Sequence, residues 1–140
     1  MGTFGTNLLG SDSAQDFIDS VATMSADQRL DEVSRVLTLA VNEPSSIMDE
    51  VVPEEVVAAA VLVAATLPGA DDGLGVNEEA RRASLPDRAP RILVRLAVQA
   101  IDVTTGPDSW WRTSWTQETD AELAMDAIRQ LRAVLLASSE

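Results

Sequence analysis

Val56 to Leu67 reads VVAAAVLVAATL, twelve residues of which Thr66 alone carries a polar side chain. Its valines would suit a strand, but the triple alanine Ala58–Ala60 and the length of the run favour a helix. A helix apolar on every side has no face to give to water, so it must be wrapped by other elements. Pro53 is a favoured first-turn residue, and Glu54 and Glu55 place negative charge at the positive end of the helix dipole. Pro68 and Gly69 stop it. The run is too short to span a bilayer. It therefore reads as the central helix of a soluble bundle.

The segments on either side have the pattern such a helix needs. Ala14, Phe17, Ile18 and Val21 recur at i, i+3, i+4 and i+7, the spacing of one helical face, and Ser11, Asp12 and Ser13 offer capping oxygens ahead of it. Ser13 and Asp16 have capping-box spacing, with Asp in place of Glu. A second helix opens at Ser25, which forms a capping box with Gln28. Leu30, Val33, Leu37 and Val41 make its apolar stripe, widened by Val36 and Ala40, and Asn42 and Pro44 end it. Pro90 lies in the first turn of another helix, whose buried face is Leu93, Leu96, Ala97, Ala100 and Ile101; Arg88, Arg91 and Arg95 form a basic stripe along it. The last helix starts near Thr119 or Asp120, with Ala124, Ile128, Leu131 and Leu135 as its stripe. Asp108 or Ser109 caps a short helix that holds all three tryptophans. Residues 70–89 are rich in glycine and acid and read as a surface loop, with a short helix capped by Asn77. The expected fold is all-α: residues 1–140 form one compact domain of about five or six helices, with residues 1–11 as an extended arm packed against the bundle.

Composition excludes several functions. Cysteine is absent, so there are no disulfides, thiolate nucleophiles or thiolate metal sites. Histidine is absent, which removes the usual acid–base group near neutral pH and the commonest metal ligand. Net charge is −13, and all ten basic residues are arginine. Such a chain repels phosphate, so neither nucleic acid nor an anionic membrane is an expected partner, whereas a basic protein is. The first residues show neither a basic segment nor an apolar signal core, so the expected location is the cytoplasm.

The opening stretch MGTFGTNLLGSDSAQDFIDSV sets Phe4, Leu8 and Leu9 among glycines. Met1, Gly2 and Thr6 fit an N-myristoylation pattern, but the next charges are Asp12, Asp16 and Asp19, and a single acyl chain without a basic cluster anchors poorly. The structural reading is preferred: Phe4 and Leu9 are buried, and the glycines permit close packing. The stretch resembles the opening of the bacterial family called domain of unknown function 4259, in which Met1, Gly2, Gly5, Asp12, Ala14, Asp16, Phe17 and Val21 keep the pattern. Phe4 replaces its usual Trp, Asn7 a Gly and Leu9 a Phe. Farther on, the alanine-rich helix, Gly69, Ser109, Trp111 and Trp115 continue the resemblance, while Val61 stands where the family commonly has Glu and Ser114 where it has Leu. The resemblance implies a fold type and supplies no catalytic residue.

Carboxylates are the abundant reactive groups that remain. Asp71, Asp72 and Glu78, with Asn77, offer hard oxygen donors suited to Ca²⁺, but their spacing is not that of an EF-hand, and a solvated acidic loop explains them. Glu118, Asp120, Glu122 and Asp126 form a second cluster; Glu122 and Asp126 are an i,i+4 pair of like charge, suited to a cation or a basic partner. Trp110 and Trp111 are adjacent and cannot share one helical face, so with Arg112 they are interface candidates, although packing explains them too. A serine nucleophile has neither His nor Lys beside it, and no phosphate-binding glycine loop occurs.

Three functional expectations follow. The first is a non-enzymatic acidic module that binds a basic protein, in one form an immunity-like protein neutralising a basic toxin. The second is an enzyme working through carboxylates and a divalent cation. The third is a structural or assembly subunit. No cofactor is expected, and the chain is expected to be a monomer or a small homo-oligomer.

Overall fold

The computed structural model describes residues 12–43, 52–67, 83, 85, 89–106 and 118–139. Among these the chain forms five helices and no strand: α1 (Asp12–Ala22), α2 (Ala26–Asn42), α3 (Pro53–Ala64), α4 (Arg91–Thr104) and α5 (Glu118–Ser139). The arm, the loop through Asp71, Asp72 and Glu78, and the segment bearing Trp110, Trp111, Arg112 and Trp115 lie outside the described residues.

α3 is the axis of the packing. Every one of its residues except Glu54 and Glu55 is buried, and it packs against each of the other four helices. Its alanines let neighbouring backbones come close, while Val56, Val57, Val61, Leu62 and Val63 fill the space between them. α4 packs on α2, α3 and α5, so α2, α4 and α5 form a continuous wall over one side of α3.

The expected stripe of α1 is the observed one, with Ala14, Phe17, Ile18 and Val21 all buried. The helix already begins at Asp12, which puts Ser13 and Asp16 inside it and not at its cap. The capping box of α2 is present: the Ser25 side chain accepts from the Gln28 N–H, and the Gln28 side chain accepts from the Ser25 N–H. Leu30, expected in the core, is 37% exposed; it lies at the edge of the α2 stripe. Pro90 precedes α4 as its cap and is not in its first turn. Leu96 is only partly buried, whereas Val94 and Val98 join the core. α5 starts at Glu118, slightly ahead of the expected position.

Side chains fasten the connections. Arg29, near the start of α2, donates from Nε to the Met24 carbonyl at 3.1 Å and from Nη2 to the Ala22 carbonyl at 3.0 Å. A cation therefore satisfies acceptors where α1 ends, at the negative end of its dipole. Arg29→Ala is expected to cost about 1–2 kcal/mol, measured by denaturant unfolding. Arg29→Lys should recover only part of that, because an ammonium lacks the planar fork. At the far end of α3, Thr66 Oγ1 donates to the Val63 carbonyl (2.8 Å) and accepts from the Ala89 N–H (2.9 Å), tying α3 to the chain that enters α4. Arg132 of α5 makes a two-point pair with Asp102 of α4, at 2.7 and 3.1 Å.

Thr104, on α4, is 1% exposed, and its hydroxyl has no hydrogen-bond partner. An unsatisfied buried hydroxyl is costly. Thr104→Val is therefore expected to be neutral or to stabilise by about 1 kcal/mol, read as an unchanged or raised denaturation midpoint.

Candidate functional site

Among the described residues, two hollows open along the wall formed by α2, α4 and α5. The first is a groove of about 530 Å³ between α2 and α4. Leu30, Ser34, Thr38 and Asn42 form its α2 side, one outward stripe at successive i+4 spacing. Pro90, Ile92, Leu93, Leu96 and Gln99 form the α4 side, with Arg95 at the lip. Ile92 is 78% exposed. The second hollow, about 200 Å³, lies between α4 and α5 and is lined by Arg95, Val98, Gln99 and Leu136. Arg95 and Gln99 border both.

The exposed large apolar side chains converge on this wall. Leu30, Ile92, Val103 and Leu136 are the four among the described residues, from α2, α4 and α5. Ile92, Leu96 and Val103 fall at i, i+4 and i+11 along the outward side of α4, so they form a ridge with Leu30 across the groove from it. An apolar ridge beside a groove, with hydroxyl and amide groups from Ser34, Thr38, Asn42 and Gln99, is what a protein partner's side chains can fill.

Charges of both signs stand on the exposed sides of the two helices. Asp27, Asp31 and Arg35 are exposed at successive turns of α2. Arg91, Arg95 and Asp102 are exposed on one side of α4. Of these, Arg95 lines the groove. Glu32 lies away from the groove, where its carboxylate is held by Arg35 at 2.8–2.9 Å.

The acidic cluster of the last helix is only partly in view. Glu122 and Asp126 are exposed on α5, and Asp126 accepts from Arg129. The Asp126 charge is thus met within its own helix. Glu118 and Asp120 lie in the first turn of α5, where acids complement the dipole; their side chains are outside the described set. Among the described residues no group of three or more acidic side chains is arranged to hold a metal ion.

One carboxyl stands apart. Glu54, in the first turn of α3, has a buried Oε1 without a hydrogen-bond partner. Burial raises its pKa; a hydrogen bond to its own backbone opposes the rise, and the charge of Glu55 adds to it. Neighbouring Glu55 instead accepts the Val52 N–H at 3.0 Å and caps the helix. Because the folded state disfavours ionised Glu54, its contribution is most favourable below the ordinary Glu range and is lost as pH rises toward the raised value. Glu54→Gln is therefore expected to gain melting temperature relative to the parent between pH 4 and pH 7. A difference that stays constant or shrinks across that range would contradict the assignment.

Sequence reading had no means of assembling the groove. Its one available signal was Ile92, an aliphatic residue on the outward side of a helix whose buried stripe is already complete. No helix among the described residues is long and apolar enough to cross a membrane. No curated protein and no solved structure matches the chain. The model of the family described as Domain of unknown function (DUF4259) matches residues 2–127, and the chain belongs to that family.

Proposed function

We propose that this chain is a non-enzymatic protein-binding module of the cytoplasm that engages a basic protein partner, with the α2–α4 groove as its docking surface. The observation that carries this reading is the exposed Ile92 and the partly buried Leu96 beside an apolar groove, on a chain of net charge −13. The apolar lining supplies contact energy, since a few apolar anchors in fitted pockets dominate most interfaces. The surrounding negative field speeds encounter with a positive partner and disfavours nucleic acid. An immunity-like protein that covers a basic toxin is one form of such a module; in this reading it acts as a monomer or small homo-oligomer.

The test is photo-crosslinking from the groove in native extract. With a photoreactive side chain at position 99, the chain is expected to trap a basic protein, with a yield that falls as salt rises and collapses when Ile92→Asp is added. Because Ile92 is mostly exposed, that substitution should change stability by less than about 0.5 kcal/mol. Adducts indifferent to salt and to Ile92→Asp would overturn the proposal.

A further inference from the structure

We infer that the outward face of α4 is also where two copies of this chain pair, their α4 helices antiparallel about a two-fold axis. Ile92, Leu96, Gln99 and Val103 follow one another at four, three and four residues, the repeat of a coiled-coil seam. Ile92, Gln99 and Val103 are exposed, and Leu96 is half-buried. Aliphatic side chains close the stripe at both ends, with a leucine and an amide between them. Turned end for end upon itself, the stripe sets Ile92 opposite Val103 and Leu96 opposite Gln99, each pair occurring twice, as a two-fold interface requires. A parallel pairing would instead put Gln99 on Gln99 and Arg91 on Arg91. Leu136 of α5, which shares the smaller hollow with Gln99, adds apolar surface beside the seam.

Electrostatics single out the same helix. Each copy carries a net charge of −13, so two copies repel over most of their surface. Among the described helices, α4 is the one in which arginines outnumber acids, Arg91 and Arg95 against Asp102. Its single acid is already held by Arg132 within the chain. The repulsion between copies is therefore least where two α4 helices meet, and the antiparallel direction carries the two Arg91 side chains to opposite ends of the seam. A seam of about three turns is small beside a standard interface, so the pairing is weak and reversible. A copy seated on α4 covers Ile92. Self-pairing and the docking of a basic partner then exclude one another, and the dimer is the resting form of the chain.

Sedimentation of the full chain tests this over concentrations from about 5 to 500 μM, the range in which a small interface exchanges monomer for dimer. Dimer is expected to grow with concentration, and Ile92→Asp should weaken the association at least about tenfold. Added salt should strengthen it, because screening relieves the repulsion between two acidic chains. Capture of a basic partner has the opposite salt dependence, so the two readings stand or fall separately. The chain has no cysteine, so introduced thiols report direction without background. In an equimolar mixture of Ile92→Cys and Val103→Cys protein, a short thiol crosslinker should join position 92 of one copy to 103 of the other in preference to either like pair. A chain that stays monomeric over the whole range at high salt would overturn the pairing, as would association untouched by Ile92→Asp. Crosslinks of 92 to 92 and 103 to 103 in place of the mixed product would overturn the antiparallel arrangement.

Discussion

Val61→Glu is expected to destabilise the fold by more than about 4 kcal/mol at neutral pH, enough to leave a large unfolded fraction in a domain of ordinary stability. Val61 is fully buried in the last turn of α3, a helix enclosed by all four of its neighbours. A carboxylate there would lose its water and find little in return: the buried polar residues among those described are Thr104 and Thr105, and the Thr105 hydroxyl is already donated to the Ile101 carbonyl. The variant would respond by holding its proton. Its carboxyl would ionise at the usual value of about 4.3 in the unfolded chain and at a higher value in the folded one. The unfolded state then sheds its proton first as pH rises, so destabilisation grows from pH 4 toward neutrality. Denaturant melts of the variant at pH 4 and pH 7 should show the larger deficit at pH 7. An equal deficit at both would mean that the side chain has escaped to solvent or gained a cation.

The same enclosure explains which parts of the fold could be read in advance. A run such as VVAAAVLVAATL has no polar side, so its burial follows from composition alone. The Ser25–Gln28 box is equally local, since its donors and acceptors lie within one turn. Leu30 and Ile92 differ in kind. Each is an aliphatic residue at the margin of, or outside, its helical stripe, and its exposure depends on how far apart α2 and α4 stand at their outer edges. That separation is a property of side-chain packing between two helices with residues 43 to 90 between them, and such packing is among the least local information a sequence holds. Arg29 is a similar case: it lies outside the apolar stripe of α2, yet its guanidinium closes the end of α1. The groove was therefore invisible even though every residue lining it was in hand. Of the acidic pair on α5, conspicuous in sequence, Asp126 is bonded within its own helix to Arg129.

Phe17→Ala should cost about 3–4 kcal/mol and lower the melting temperature by about 10 °C. Phe17 is the one aromatic side chain among the described residues and is 4% exposed. It lies on α1, which packs against α3 and α2. The cavity left by the ring can be relieved in two ways, collapse of the neighbours or departure of α1, and the two have different signatures. α3 is pinned by four partners and collapses poorly, so loosening of α1 is the easier response. Hydrogen exchange should then show α1 amides losing protection well ahead of those in α4 and α5. The Arg29 clasp resists that opening, because its guanidinium bonds to the Ala22 and Met24 carbonyls only while α1 stays in place. Removing both Phe17 and Arg29 should therefore cost less than the sum of the single losses, with a coupling of about 0.5–1 kcal/mol in a double-mutant cycle. The groove stands on α2 and α4, and α1 contributes none of its lining. Phe17→Ala protein kept well below its melting temperature should accordingly give the same salt-sensitive crosslink from position 99 as the parent. A parallel loss of that crosslink would show that α1 and the groove unfold as one unit, and that the bundle has no separable edge at its N-terminal helix.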